Sequence, residues 1–220
     1  MTVNISISTT SDGSMKHGAT EAQICANRQG FLQNNSYDPE VACLVRLEYA
    51  GDDYCRYREV DEQIGGEGIV KDSTIVADGL VTRVKKQALF LPLADCIGMV
   101  IWDQGETAIM VSHLGRHNLE QMGGAQSIKY FLSQTGIGVE DIRIFLSPAA
   151  SSKAYPLYNL ENKGLHEVAT RQLLAAGVGR DHISIDDRDT ASDQALYSHS
   201  EFLKGNREVD GRFMLVAALQ

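Results

Sequence analysis

Proline, cysteine pairs and basic runs are all scarce in this chain, and each scarcity excludes a class of protein. The 220 residues include four prolines and no Pro- or Ser-rich linker, so the sequence predicts a single domain over residues 1–220. The four cysteines form no CxxC pair, which argues against a zinc ribbon. The longest basic run is Lys85-Lys86 and the formal net charge is −9, so we expect no nucleic acid polymer as a partner.

Long apolar runs are missing as well. No stretch reaches the roughly 18 apolar residues that a membrane-spanning helix needs. The segment that starts at Met1 shows no basic region followed by a continuous apolar run, which a signal peptide would have. We therefore expect no membrane partner and a cytoplasmic protein with reduced thiols, although an even number of cysteines leaves disulfides formally open.

Two kinds of hydrophobic pattern follow one another along the chain. Strand-like runs cover residues 3–13, 41–51, 55–60, 77–84, 87–96, 98–103, 107–113, 142–151, 182–186 and 211–219. Helical patterns cover residues 19–35, 118–136 and 165–179. Because many strands occur in succession and helices are only interspersed, the pattern favours an α+β fold over a strictly alternating βαβ fold.

Two consecutive apolar runs each end at a residue that binds metals or activates nucleophiles. Cys96 ends the first run and His113 ends the second. Taken alone, a buried cysteine usually fills a core and a histidine is usually a satisfied polar residue. A tight turn at residues 103–106 would make the intervening strands a hairpin, whose neighbouring strands lie about 5 Å apart. We therefore predict that Cys96 and His113 lie at the same rim of the sheet.

A thiol beside an imidazole has two main uses, and the spacing does not choose between them. Sulfur and nitrogen can bind zinc or copper, or the imidazole can activate the thiol as a nucleophile. His117, four residues after His113, is either a further ligand or a surface residue. Arg116 can hold a phosphate or carboxylate, or be an ordinary surface charge. We interpret Asp95 as a residue that fixes its turn by bonding nearby backbone N–H groups.

Several short motifs occur in a characteristic order. They are ADGLVT at residues 77–82, ADC at 94–96 and SHLG at 112–115, with weaker likenesses at Asn27-Arg28, Ser147-Pro148-Ala149, Asp189-Thr190, Tyr197-Ser198-His199 and Gly211-Arg212. This series resembles the laccase-domain family, whose members are also called polyphenol-oxidase-like, peptidoglycan-editing-factor-like or multifunctional purine nucleoside phosphorylases. The likeness extends over nearly the whole chain.

The resemblance implies a fold, a site and a chemistry. The fold is a single α+β domain with layered mixed β-sheets flanked by helices. The site brings the cysteine of the ADC motif together with a histidine, here Cys96 and His113, and binds zinc, or less readily copper. The implied activities are phosphorolysis of purine nucleosides, with phosphate as the second substrate, and deamination of adenosine. A role in keeping peptidoglycan precursors correct is also attached to the family.

This chain departs from the family motifs at the site itself. The family's first metal-binding histidine aligns with Ala50, which cannot coordinate a metal. The metal would then be held by Cys96, His113 and a substitute such as His117 or Glu48, or the metal site would be lost. Arg116 and Glu48 are the residues that we expect to bind substrate, with His117 as a further partner for phosphate.

Three hypotheses therefore follow from the sequence. The first is a zinc-dependent purine nucleoside phosphorylase or adenosine deaminase with a pocket at Cys96 and His113. The second is a metal-free hydrolase or deamidase in which Cys96 is the nucleophile and His113 the base. The third is a non-catalytic binding protein that keeps the fold and has lost the metal site.

Overall fold

Ten strands and five helices make up the regular structure of the described residues, which are 3–16 and 21–220 of a computed structural model. The strands are Val3–Ile7 (β1), Cys43–Leu44 (β2), Tyr57–Val60 (β3), Gly79–Thr82 (β4), Leu89–Leu93 (β5), Ile97–Asp103 (β6), Ile109–Leu114 (β7), Ile142–Leu146 (β8), Ile183–Ile185 (β9) and Phe213–Leu219 (β10). The helices are Glu21–Asn34 (α1), Arg116–Glu120 (α2), Gly123–Thr135 (α3), Leu165–Ala175 (α4) and His199–Leu203 (α5).

The strands form two mixed sheets. The four-stranded sheet has the order β1-β10-β5-β2, with β2 parallel to β5 and the other pairs antiparallel. The six-stranded sheet has the order β3-β4-β7-β6-β8-β9, in which the two outer pairs are parallel and the inner pairs antiparallel. Parallel and antiparallel pairs in each sheet agree with a chain that inserts helices between some strands and tight turns between others.

Alternate residues of each central strand enter different cores, because successive side chains of a strand point to opposite faces of the sheet. The core between the two sheets includes Leu89, Leu91, Val100, Val111, Leu215 and Ala217. The core beneath α1 includes Phe31, Leu32, Phe90, Met214 and Val216. The core beneath α3 and α4 includes Met99, Ile101, Ile128, Phe131, Val168 and Leu173. The result is four layers in the order helix, sheet, sheet, helices.

This architecture confirms the α+β class with layered mixed sheets flanked by helices. Burying one large aliphatic or aromatic side chain contributes about 1.5–3 kcal/mol to the stability of a fold. The three apolar cores therefore stabilise an arrangement in which both sheets are covered on both faces. No helix among residues 3–16 and 21–220 is long and apolar enough to cross a membrane. The predicted helix at 19–35 is present from Glu21, and residues 19 and 20 lie outside the described part of the chain.

Two predicted elements are wrong in detail. The single helix predicted over residues 118–136 is two helices, separated at Met122, whose φ of 62° is left-handed. Gly123 follows the break, and a Cβ there would lie 2.7 Å from the Asn118 carbonyl oxygen. The strand predicted over residues 41–51 is reduced to Cys43–Leu44, because the chain then leaves the sheet. The structure also adds the short helix α5, which hydrophobic periodicity does not indicate.

Candidate functional site

The β6–β7 hairpin positions Cys96 and His113 at one end of the six-stranded sheet. Gly98 pairs with His113 and Ile97 pairs with Leu114, so Cys96 lies across from Gly115 in the continued register. A Cβ added to Gly115 would lie 3.0 Å from Cys96 Sγ and 2.8 Å from His113 Cε1. The sulfur and the imidazole therefore both pack against Gly115. Any residue with a Cβ at this position would collide with them.

Both side chains line the same cavity, whose volume is about 260 Å³. Its walls come from the β5–β6 turn, the end of β7 with the start of α2, the loop after β2, and residues far away in the chain. The described lining includes Tyr49, Cys96, His113, Tyr155, His199 and Arg212. Ligand cavities commonly have volumes of about 300–1,000 Å³, so this cavity lies just below that range and would hold only a small ligand.

Asp95 fixes the turn that presents Cys96. Its φ of 76° is left-handed, a conformation that aspartate adopts more readily than most residues. The buried carboxylate accepts hydrogen bonds from Thr190 Oγ1 at 2.9 Å, Ser198 Oγ at 2.6 Å and the Ser200 N–H at 2.6 Å. The sequence predicted partners in the neighbouring backbone. The observed partners instead follow Asp95 by roughly a hundred residues, so Asp95 joins the turn to the loops around α5.

His113 is buried and uncharged at neutral pH. Burial lowers its pKa to about 4, and the Asp78 carboxylate and a hydrogen bond with Asn118 only partly oppose this effect. The His113 backbone N–H donates to the Asp78 carbonyl oxygen at 2.8 Å, and the Asp78 side chain pairs with Arg56 at 2.7 Å. A neutral imidazole can accept a proton or donate one hydrogen bond.

Cys96 is half-buried and keeps its proton at neutral pH. Burial raises its pKa to about 12, the Asp95 carboxylate adds to the rise, and Arg212 and Arg116 oppose it. A nucleophilic cysteine needs the opposite shift, because the thiolate is the reactive form. Together with the low pKa of His113, this gives an uncharged thiol beside an uncharged imidazole rather than a thiolate–imidazolium pair.

The positive charges of the cavity come from two separate elements. Arg116 is the exposed first residue of α2. Arg212 precedes β10, and its Nη1 atom donates to Asp210 Oδ1 at 2.7 Å. His199, the first residue of α5, bonds the same carboxylate oxygen through Nδ1 at 2.8 Å. The cavity is therefore rich in cationic and imidazole groups although the whole chain carries an excess of acidic residues.

His117 and Glu48 have surroundings that differ from those of the buried pair. His117 lines the cavity, but its ring stacks on Tyr54 with centroids 4.6 Å apart, and its Nδ1 lies 3.7 Å from Glu120 Oε2. Glu48 is exposed, and the described lining of the cavity includes its neighbours Leu47 and Tyr49 without it. Both residues are thus located at the rim or outside it, and their predicted roles stay predictions.

The donor set around Cys96 and His113 does not fit a zinc site of the usual kind. Zinc in proteins takes at least three protein ligands in most sites. Within residues 3–16 and 21–220, no group of three or more His, Cys, Asp or Glu side chains could hold a metal ion, and this includes Cys96, His113 and His117. Asp95, the nearest carboxylate in sequence, is already bound by three donors.

Several cavity residues carry little local signal in the sequence. Tyr49, Asn118, Tyr155, His199 and Arg212 belong to loops or short helices and join the cavity through tertiary packing. For His199 and Arg212 the only signal was their place in the weaker motifs near the end of the chain. Hydrophobic periodicity could not have identified them, because it marks apolar positions and both residues are polar.

The family model described as "Multi-copper polyphenol oxidoreductase laccase" matches residues 6–163. The chain belongs to this family. The resemblance to the laccase-domain family that the ADC and SHLG motifs carry is therefore confirmed. The match includes Cys96, His113 and α2, whereas His199 and Arg212 lie after it.

Relatives of known name share limited identity with this laccase-domain chain. A Mycobacterium tuberculosis protein named a purine nucleoside phosphorylase is 28% identical over 140 residues, which is 56% of each chain. The chain thus spans only about half the length of that relative. Purine nucleoside phosphorylase YlmD of Bacillus subtilis is 23% identical over 208 residues, covering 81% of this chain and 72% of the relative.

Two solved structures have the same fold. The hypothetical protein YfiH of Bacillus licheniformis superposes with a TM-score of 0.86 at 17% identity, covering 99% of this chain and 93% of the other. YlmD of Geobacillus stearothermophilus also gives a TM-score of 0.86, at 20% identity, covering 99% and 92%. At these identities the likeness establishes the fold alone.

Proposed function

We propose that this chain is an enzyme that cleaves a purine nucleoside with phosphate in the cavity of Cys96 and His113. The observation that carries the proposal is one cavity in which an uncharged thiol and an uncharged imidazole are accompanied by Arg116 and Arg212. Distant relatives that are named purine nucleoside phosphorylases support the choice of substrate. Arg116 is the residue that we assign to phosphate.

In this reaction a phosphate oxygen forms a bond to C1′ of the ribose while the bond from C1′ to the purine nitrogen breaks. The electron pair of the broken bond leaves with the purine, which takes up one proton, and the phosphate loses one. The neutral imidazole of His113 can accept the proton from phosphate and return it to the purine, so it acts as a proton carrier. Cys96, which retains its proton, can donate a hydrogen bond to an oxygen of either substrate.

A metal-free Cys–His hydrolase is less consistent with these electrostatics. The thiol of Cys96 would have to ionise against a pKa of about 12, and the imidazole of His113 would have to hold the proton against a pKa of about 4. Each shift disfavours the ion pair that activates a cysteine nucleophile. A binding protein without catalysis is then the outcome if no nucleoside is turned over.

Zinc is a separate proposal that comes from the family resemblance. Among residues 3–16 and 21–220 no three side chains could serve as ligands, and the proton transfer above uses only side chains of this chain. Metal analysis of the purified protein, with Cys96→Ser as the control, tests it. Stoichiometric zinc that disappears in the control would establish Cys96 as a ligand, and its absence from both would remove zinc from the site.

The decisive experiment is an assay of adenosine, inosine and methylthioadenosine with and without phosphate, with chromatography of the free base and of ribose 1-phosphate. We expect base release that requires phosphate. His113→Gln should lower the rate by about 10²–10⁴-fold, which is the usual contribution of a general acid–base group. Arg171→Met, on an exposed helix surface away from the described cavity lining, is the matched control and should retain the rate.

Three results would contradict the proposal. If none of the three nucleosides is consumed, the enzyme assignment fails. If the base appears equally without phosphate, the reaction is hydrolysis. If inosine and ammonia appear from adenosine, the activity is deamination. Full activity of His113→Gln would leave phosphorolysis standing and remove His113 as the proton carrier.

A further inference from the structure

One carboxylate at the edge of the cavity holds three basic side chains. Asp210 accepts hydrogen bonds from Arg212 Nη1 at 2.7 Å and His199 Nδ1 at 2.8 Å, and its other oxygen pairs with Lys16. Hydrogen bonds from these groups lower the pKa of Asp210, although burial alone would raise it, so the carboxylate stays ionised. Because Arg212 and Lys16 both carry a positive charge, one negative charge cannot neutralise them, and the cluster retains an excess of positive charge.

This cluster is distinct from the arginine that we assign to phosphate. Arg116 belongs to α2, whereas Arg212 precedes β10 in the other sheet. Arg212 interacts electrostatically with the hydroxyl of Tyr49, and Arg116 interacts with the hydroxyl of Tyr155. Both arginines also act on the Cys96 thiol, which therefore lies within the reach of two separate positive groups.

Arg212 is held in place and still has donors for a ligand. In the described part of the chain, the side-chain hydrogen bonds of Arg212 both start from Nη1 and end at Asp210 and the Gly211 carbonyl oxygen. The Nε and Nη2 donors of its planar guanidinium are not used in these bonds. A guanidinium fixed at one nitrogen loses little freedom when its other nitrogens bind a phosphate in a bidentate manner.

We propose that the two arginines bind two anions, with inorganic phosphate at Arg116 and an anionic group of the nucleoside substrate itself at Arg212. This inference rests on the proposed function and deepens its substrate class: purine nucleoside monophosphates should bind in preference to uncharged nucleosides. An uncharged nucleoside has no group that requires the Arg212–Asp210–Lys16 cluster. In a chain with a net charge of −9, such a cluster supplies a local positive potential that attracts an anionic substrate.

Binding of adenosine and of adenosine 5′-monophosphate, measured by titration calorimetry without added phosphate, tests the proposal. We expect the monophosphate to bind at least about tenfold more tightly, since hydrogen bonds to charged groups are among the strong ones. Arg212→Met should bring the ratio of the two dissociation constants close to one, and Arg212→Lys should restore part of it. Arg171→Met is the matched control, because it removes an exposed arginine outside the described lining and should leave the ratio as in the wild type.

Thermal unfolding of each variant shows whether a loss of binding is caused by a loss of folding. If Arg212→Met is unstable, the ratio of dissociation constants is measured with Arg212→Lys instead. Equal binding of the two ligands to the wild type would overturn the proposal, as would a preference that Arg212→Met retains. These results do not depend on turnover. Phosphate-dependent cleavage of adenosine with no preference for the monophosphate would sink this inference and leave the proposed function intact.

Discussion

At the scale of single residues, Gly115 is a position where the site has no space for a side chain. Its φ of −95° is accessible to any residue, so the requirement for glycine is one of space. The two nearest atoms that an added methyl would meet are the sulfur of Cys96 and a ring carbon of His113, at 3.0 and 2.8 Å. Either side chain must move to admit it.

We expect Gly115→Ala to lower ligand binding or kcat/KM by about tenfold or more while costing about 1–3 kcal/mol of stability, as overpacking usually does. Gly30→Ala is the matched control, because a Cβ on that residue of α1 meets nothing within 4 Å. It should be neutral or stabilise the fold by about 0.5–1 kcal/mol. Calorimetry and the nucleoside assay check both variants, and an active, unperturbed Gly115→Ala protein would contradict the packing described here.

The protonation of Cys96 gives a second prediction. With a pKa of about 12, its alkylation by iodoacetamide should be slow at pH 7 and should still accelerate up to about pH 10, without the plateau of an activated thiol. Mass spectrometry with Cys96→Ser as the control assigns the modified residue. Fast alkylation that is already maximal near neutral pH would favour the nucleophile hypothesis, and protection by added zinc would favour a metal ligand.

At the scale of elements, the turn between β5 and β6 is fastened to α5 through Asp95. Its three hydrogen bonds join parts of the chain that share no sheet, and they keep the Cys96 side of the cavity near the His199 side. A change at this aspartate is therefore expected to disturb the geometry of the cavity and the stability of the fold together.

Asp95→Ala should destabilise the protein by at least about 3 kcal/mol, because it leaves buried donors unpaired and places alanine at a left-handed φ. Asp95→Asn keeps an acceptor oxygen and a residue that tolerates this φ, so it should cost clearly less. Urea unfolding measures both. Equal losses for the two variants would show that charge rather than hydrogen bonding holds the turn.

An element can be predicted from the sequence when interactions between neighbouring residues determine it. It cannot be predicted in this way when contacts between distant residues determine it. The β6–β7 hairpin follows from a local pattern and a tight turn, which is why the neighbourhood of Cys96 and His113 was predictable. The break at Met122 was not. The start of α3 contacts α4, where Gln172 Oε1 accepts the Gly124 N–H at 3.0 Å, and a local pattern does not show a contact between such distant residues. Arg212 reaches the cavity only through the pairing of β10 with β5, which no short window of sequence encodes.

At the scale of the whole molecule, the buried histidine makes the fold sensitive to acid. The pKa of His113 falls from its ordinary value of 6.5 to about 4 on folding. Between these two pH values the unfolded chain binds the proton and the folded chain does not, so stability decreases as the pH falls through that window. The full loss is about 3 kcal/mol at 1.36 kcal/mol per pKa unit.

We expect the unfolding free energy of the wild type to drop between pH 6.5 and pH 4.5, and His113→Gln to show a shallower drop. His166, whose pKa burial also lowers, should leave a residual slope in the variant. Asp210 contributes only at lower pH, because its pKa lies below the ordinary 3.8. Denaturant titrations across this range provide the measurement, and identical slopes for the two proteins would refute the assignment.

The place of β10 in the four-stranded sheet has a consequence for biosynthesis. β10 pairs with β1 on one side and with β5 on the other, so β1 has no ladder partner and β5 has only β2 until β10 has emerged from the ribosome. Contacts between such distant segments slow folding, since the intervening loop must close first. The nascent chain therefore carries an unpaired β1 until β10 is made, and a ribosome-stalled chain that stops before Phe213 should expose two open sheet edges to chaperones and leave Arg212 without the strand that positions it at the cavity.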